Sequence, residues 1–214
     1  MNIIWHGLSC FEINTKTTNG EVALITDPFD NNTGLRLSKT LAADLVAVSH
    51  NDSDANNSEA IQNKPFVISI PGEYEVKGVF VYSINAPLAE KGSREHCIFR
   101  IEVEGMHLVH LGALNRSLTN DELSELGDVD ILMLPVGGGR VLSPKLATEV
   151  IEQLEPRVVI PMTYAVDGLK ESLGMVEAFY KAVGVAQPEV TNKLKISQRD
   201  LPEEDMRVVT LERV

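Results

Sequence analysis

Apolar and polar residues alternate in short runs through the first half of the chain. Residues 2–5 and 9–14 are two such runs, with Gly7 between them. A period of two sends successive side chains to opposite faces, so each run predicts a strand. Residues 21–26 follow a Thr18-Asn19-Gly20 turn, which makes 9–14 and 21–26 a hairpin. Residues 44–49 are nearly all apolar, as suits a strand covered on both faces, and 65–70 reads the same way. Residues 73–76 and 79–84 flank Lys77-Gly78 as a second hairpin, and 96–103 and 106–110 flank Glu104-Gly105 as a third.

The second half changes period. Thr119 with Glu122 three residues on is a capping box, predicting a helix to about Leu126. Residues 131–134 read as a strand ending at Pro135. Ser143 followed by Pro144 is a cap plus a first-turn proline, for a helix to about Leu154. Residues 157–160 form a strand ending at Pro161, 172–183 a helix stopped by Gly184, and 193–196 and 207–211 late strands. No Gly/Pro/Ser-rich linker or 20–50-residue repeat interrupts the order. Hairpin-rich β followed by β-α-β-α units predicts a single α/β (α+β) domain over residues 1–214. Its two mixed sheets pack face to face, with helices on the outer faces.

Composition narrows the function. Of 214 residues, 43% are apolar and 23% charged, which excludes a disordered chain and supplies a sizeable core. Nineteen basic residues against 31 acidic ones give a net charge of −12. That balance excludes a phosphate-tracking nucleic-acid binder and docking on an anionic membrane. No apolar run approaches the ~20 residues of a membrane helix. Residues 2–9 lack the basic start of a signal peptide, so a cytoplasmic location is expected. Cys10 and Cys97 lie in apolar runs and read as two buried reduced thiols.

The candidate chemistry is concentrated at Ser49-His50-Asn51-Asp52-Ser53-Asp54, directly after a buried-type strand. His50, Asp52 and Asp54 alternate, so an extended segment puts an imidazole and two carboxylates on one face, a set that suits one metal ion. Two readings compete. Asp52, Asp54 and Asn56 have the first spacings of a calcium loop, but Asn57 and Asn63 replace its glycine and bidentate glutamate. A plain capping turn needs only Asp and Asn side chains on backbone N–H groups. Gly137-Gly138-Gly139-Arg140 precedes a helix start, so its N–H groups with Arg140 are a candidate anion site, against a loop that is glycine-rich for close packing. No Gly-x-Ser-x-Gly elbow is present. His6 and His110 read as hydrogen-bonded histidines near the site, His96 and His107 as solvent-facing strand residues, and Glu73 and Tyr74 as pocket lining.

The ordered set Trp5-His6-Gly7-Leu8-Ser9-Cys10-Phe11, Thr26-Asp27-Pro28-Phe29, Val48-Ser49-His50, Pro71-Gly72-Glu73-Tyr74, His110-Leu111-Gly112, Leu134-Pro135-Val136-Gly137-Gly138 and Ile160-Pro161-Met162-Thr163-Tyr164 resembles the metallo-β-lactamase-fold hydrolases. It is most similar to their branch of ascorbate-phosphate lactonases and small bacterial and archaeal hydrolases. The resemblance spans nearly the whole chain. It implies a four-layer αβ/βα sandwich with a two-zinc site along one edge of the sheets, and an Asp27 that orients the metal loop.

The same resemblance exposes gaps in the ligand set. The family loop reads H-x-H-x-D-H; His50 and Asp54 match, while Asp52 and Ala55 stand at the other two histidines. Asn85 occupies a usual histidine position, Ala113 that of the bridging aspartate, Thr163 the histidine of Pro-Met-His-Tyr, and Leu8 the histidine of Gly-His. The scaffold motifs Asp27-Pro28, Pro71-Gly72 and Pro135-Val136-Gly137 are kept. The expectation is therefore a hydrolase-like protein whose two-metal site is largely lost and whose pocket holds an unidentified small molecule or protein partner. Asp27, Gly138, Arg140 and Tyr164 are its candidate ligand contacts. With no metal bound, a protonated His50 is expected between Asp27 and Asp54. One alternative is an active hydrolase using a single zinc or other divalent ion on His50, Asp52 and Asp54, with Asp54 and His50 as catalytic candidates and a small phosphorylated, lactone or ester substrate. A second is a structural or interaction protein with no ligand. A homo-oligomer is compatible with all three.

Overall fold

The computed structural model describes residues 1–89 and 95–214. The strands are β1 Asn2–Gly7, β2 Cys10–Thr17, β3 Gly20–Thr26, β4 Leu45–Ala47, β5 Phe66–Ile68, β6 Gly72–Val76, β7 Val79–Asn85, β8 Cys97–Val103 and β9 Met106–His110. Then follow α1 Asn120–Leu126, β10 Ile131–Pro135, α2 Pro144–Leu154, β11 Val158–Met162, α3 Val176–Val183, β12 Glu189–Thr191, β13 Leu194–Lys195 and β14 Arg207–Leu211. They build two mixed sheets. The six-stranded sheet has the order β13-β1-β2-β3-β4-β5, antiparallel up to β3 and parallel from β3 to β5. The eight-stranded sheet has the order β12-β14-β11-β10-β9-β8-β7-β6, antiparallel from β6 to β9 and parallel beyond.

Strand alternation sorts the side chains between layers. In β4, Leu45 and Ala47 enter the main core with Phe99, Ile101 and Leu108 of the facing sheet, while Val46 points the other way. There Val46, with Ile25 and Val48, is covered by Phe29, Leu35, Leu41 and Ile61. The residues covering this face come from loops and 3-10 turns. The three described α-helices all connect strands of the eight-stranded sheet. The expected two-sheet sandwich is present, with helices on one sheet and loops on the other.

Three local readings change. Residues 65–70 do not form a doubly covered strand: β5 is the free edge of its sheet, with Phe66 51% and Val67 43% exposed. The helix expected from residue 172 begins at Val176, because Gly174 is held extended, its N–H bonding Gly137 O and its carbonyl accepting from Ala165 N–H. The short edge strand β12 gave no alternating signal; Glu189 and Val190 are both exposed.

The capping box of α1 forms as expected and carries more than a cap. Thr119 Oγ1 accepts the Glu122 N–H at 3.2 Å and Glu122 Oε2 accepts the Thr119 N–H at 2.8 Å. Arg116 grips the same carboxylate with both Nη atoms, at 2.9 and 2.6 Å. Burial alone would raise the Glu122 carboxyl, but Arg116 and Thr119 hold it below its usual value. A carboxyl lowered in the folded state stabilises above its unfolded pKa and loses that contribution as pH falls through the folded value. Glu122→Gln is expected to cost about 2 kcal/mol at pH 7 in denaturant titration. The difference from wild type should shrink once pH drops below the ordinary glutamate value of about 4.3.

Candidate functional site

Strand ends of both sheets meet at one edge, and the candidate residues follow from them. Asp27 leaves β3 with φ +39° and is fully buried, its N–H bonded to Ala47 O at 2.8 Å. Its carboxylate takes both donors of Ser49, the N–H on Oδ1 and the hydroxyl on Oδ2, each at 2.7 Å. That pair fixes the loop that leaves β4. The Ser49 proton being given to Asp27, its Oγ is free to accept from His50 Nδ1 at 2.8 Å. His50 Nε2 lies 3.2 Å from Asp54 Oδ1 and 3.8 Å from Asp52 Oδ2. The imidazole thus stands between two carboxylates, joined to Asp54 directly and to Asp27 through a hydroxyl.

Donating from both ring nitrogens is what an imidazolium does. Burial opposes that charge on His50, but the Asp54 hydrogen bond and the charges of Asp27 and Asp54 outweigh it, against a smaller push from Arg140, and its pKa is raised. For Asp54, burial is likewise overcome by His50 and Arg140, which bring the carboxyl down to about 2. Burial raises Asp27, and nearby His110, His50 and the Ser49 bonds hold part of that rise back.

Arg140 is the second cation. Its Nη2 lies 2.6 Å from Asp54 Oδ2, and its Nε donates to Glu171 Oε1 at 2.7 Å. The Nη2 and Oδ2 atoms are closed to solvent and their angles are too poor for a regular hydrogen bond, so the contact is an ion pair. Sequence reasoning missed Glu171, which lies 31 residues from Arg140 on a separate loop and offers no pattern to find it by.

Two N–H groups of the glycine loop are already taken: Gly137 N–H bonds Thr163 O and Gly138 N–H bonds Leu142 O, each about 3 Å away. Tyr164 is not brought to His50. Its ring packs on Trp5 at 4.9 Å in the main core, where burial raises its pKa.

Of the histidines, His96 departs most from expectation. It is 1% exposed, not solvent-facing, and precedes β8. Its Nδ1 donates to Ala86 O at 2.9 Å and its Nε2 accepts the Ala113 N–H at 3.0 Å. That clamp fixes a neutral tautomer, and burial lowers its pKa to about 3. The expected strand over residues 96–103 took His96 as its first residue, whereas β8 begins one position later at Cys97. His110 is fully buried, its Nε2 on Ser9 O at 2.9 Å. His6 pairs with Glu12 at 3.2 Å.

The remaining positions surround this edge. Ala55 and Ala113 are buried, Thr163 Oγ1 is bonded to Ser9 Oγ at 2.9 Å, and Asn85 is exposed at the end of β7. Leu8, Asp27 and Thr163 all have positive φ, between +39° and +51°. Such backbone is sparsely populated for these residue types and is typical of functional edges. Beside His50 opens a cleft of about 660 Å³ lined by Ser49, His50, Asn51, Asn85, Glu95 and His96 among others.

Comparison with known proteins agrees with this architecture. A solved structure from Thermotoga maritima, described as a Zn-dependent hydrolase of the metallo-β-lactamase superfamily, is 30% identical. It aligns over 100% of this chain and 99% of its own with a TM-score of 0.81. A UPF0173 metal-dependent hydrolase from Thermococcus onnurineus is 27% identical over 68% of this chain and 78% of its own. Another from Thermoplasma acidophilum is 24% identical over 92% of this chain and 99% of its own. The model of the beta-lactamase superfamily domain matches residues 2–163. With that match over most of its length, the chain belongs to the beta-lactamase superfamily.

Proposed function

We propose that this chain is a metallo-β-lactamase-fold protein that binds a small polar ligand beside His50 and does not carry out two-metal hydrolysis. The observation that carries this reading is the donor inventory. Among the described residues, His50, Asp52 and Asp54 are the one group of three or more His, Cys, Asp or Glu donors able to converge on an ion. A two-metal site needs roughly eight donors, several of them neutral imidazoles. Ala55 and Ala113 supply none, and the nearby His96 has both ring nitrogens spent on backbone. The residues present do not fit two ions. The cleft offers a hydroxyl, an imidazole, two carboxamides and the Glu95 carboxylate, and its volume suits a small hydroxylated or amide-bearing molecule.

A second reading rests on the same three residues. Their ligand atoms lie within 4.8 Å of one another, which fits one divalent ion, and relatives are named metal-dependent hydrolases. His50, Asp52 and Asp54 would hold it, and it would polarise an oxygen of a phosphorylated, lactone or ester substrate as a Lewis acid. Elemental analysis of the purified protein separates the readings. The first expects well under one equivalent of zinc, manganese or iron; about one equivalent, lost in His50→Ala and Asp54→Ala, would establish the second, and about two would refute both. A thermal-shift screen of small polar compounds on the metal-free protein then tests ligand binding, since a bound ligand raises stability by mass action.

A further inference from the structure

We infer that Arg140 is a built-in substitute for a metal cation, held against Asp54 by Glu171, and that it keeps divalent ions off the His50–Asp52–Asp54 group. The inference rests on the donor reading above and adds the agent that excludes the ion. Asp54 is shared between two partners: Oδ1 faces His50 Nε2 at 3.2 Å and Oδ2 faces Arg140 Nη2 at 2.6 Å. A divalent ion held by these donors would share a carboxylate with a guanidinium in direct contact. Like charges at such separation repel strongly in a site closed to water. The Asp54–Arg140 contact atoms are shut off from solvent, so screening there is weak.

The charge is permanent, because a guanidinium does not lose its proton in a protein. It is also fixed in place. Arg140 stands on the loop after β10 and Glu171 on the loop after β11, and the 2.7 Å bond between them stops the side chain from swinging outward. Glu171 is thus a positioning residue that acts on Asp54 through Arg140. A flexible surface arginine would leave the carboxylate open to any passing cation; this one is tethered at both ends of its guanidinium.

The test is isothermal titration of the intact protein with Zn²⁺ alone, wild type beside variants. Arg140→Ala is expected to bind about one equivalent on the order of 100-fold more tightly than wild type. Glu171→Ala, which frees Arg140 from its tether, should gain roughly tenfold, and Arg140→Lys, which keeps the charge but not the two-nitrogen hold, should fall between wild type and Arg140→Ala. His50→Ala added to Arg140→Ala should remove the gain, placing the ion at these donors. A folded Arg140→Ala with an affinity within about threefold of wild type overturns the inference. If Arg140→Ala does not fold, Arg140→Gln and Glu171→Ala decide, and unchanged affinity in both overturns it equally. Zinc bound tightly to wild type and lost in His50→Ala overturns the inference together with the functional reading; a weakly binding wild type with an equally weak Arg140→Ala overturns the inference alone.

Discussion

Gly112→Ala is expected to lower stability by about 4 kcal/mol, or a Tm near 10 °C lower for a chain of this size. Two costs add. The residue has φ +55°, where a Cβ is strained by about 1 kcal/mol. The larger cost is collision: that Cβ would lie 2.5 Å from His96 Nε2 and 2.6 Å from Ser49 Cβ and Oγ. Neither neighbour can give way cheaply. Ser49 is pinned by Asp27 and His50, and His96 by Ala86 O and the Ala113 N–H. Relief must come from breaking one of these bonds, so the imidazole signals of His50 and His96 should move in NMR spectra. Gly184→Ala is the control. Gly184 has φ +79° with nothing within 4 Å of the added Cβ, so it should show the conformational cost alone. Equal Tm losses for the two variants would refute the collision argument.

Trp5→Ala is expected to cost about 4 kcal/mol, the range for emptying a buried aromatic site. Trp5 is 1% exposed, packs against Tyr164, and donates Nε1–H to Leu8 O at 2.9 Å. That carbonyl also accepts the Thr163 N–H at 3.1 Å. The indole therefore fills the core and braces the positive-φ turn at Leu8 that borders the site. Trp5→Phe should keep most of the volume, lose the hydrogen bond, and cost about 1–2 kcal/mol. This is the chain's one tryptophan, so unfolding is followed by far-UV circular dichroism. A Trp5→Ala protein as stable as Trp5→Phe would show that the cavity is not felt.

What the sequence revealed and concealed divides by the range of the interaction. The hairpin around Lys77-Gly78 and the caps at Thr119 and Ser143 are local, and the structure has them where the residues put them. The apolar run 44–49 was legible as a doubly covered strand, but 65–70 looked the same and is an exposed edge, because burial depends on which neighbours arrive. Period two could not tell a strand histidine from His96, which is buried by a turn meeting the residues around Ala113 from another strand end. His50, Asp52 and Asp54 were found because they are close in sequence. Arg140 was noticed for its glycine neighbours and assigned to an anion, whereas its partners are carboxylates brought from residues 54 and 171. Charge pairing across loops leaves no periodic trace.

The loops over the six-stranded sheet give the molecule two halves of unequal resistance to local opening. Helices α2 and α3 bury Val150, Ile151 and Phe179 in the main core, so lifting them gives up packing against the largest cluster of the molecule. The loops over Val46 and Val48 bury only the smaller cluster around Phe29, Leu35 and Leu41. Ser49 is tied to the eight-stranded sheet through the Cys97 N–H, while Asp54 stands further out on the loop that the smaller cluster supports and Gly112 and Arg140 stand on the more resistant side. Transient openings of the site are expected to begin with Asp54 and its loop moving away from Gly112 and Arg140, releasing the Asp54–Arg140 contact, and hydrogen exchange should then be faster in the loop after β4 than in α2 and α3.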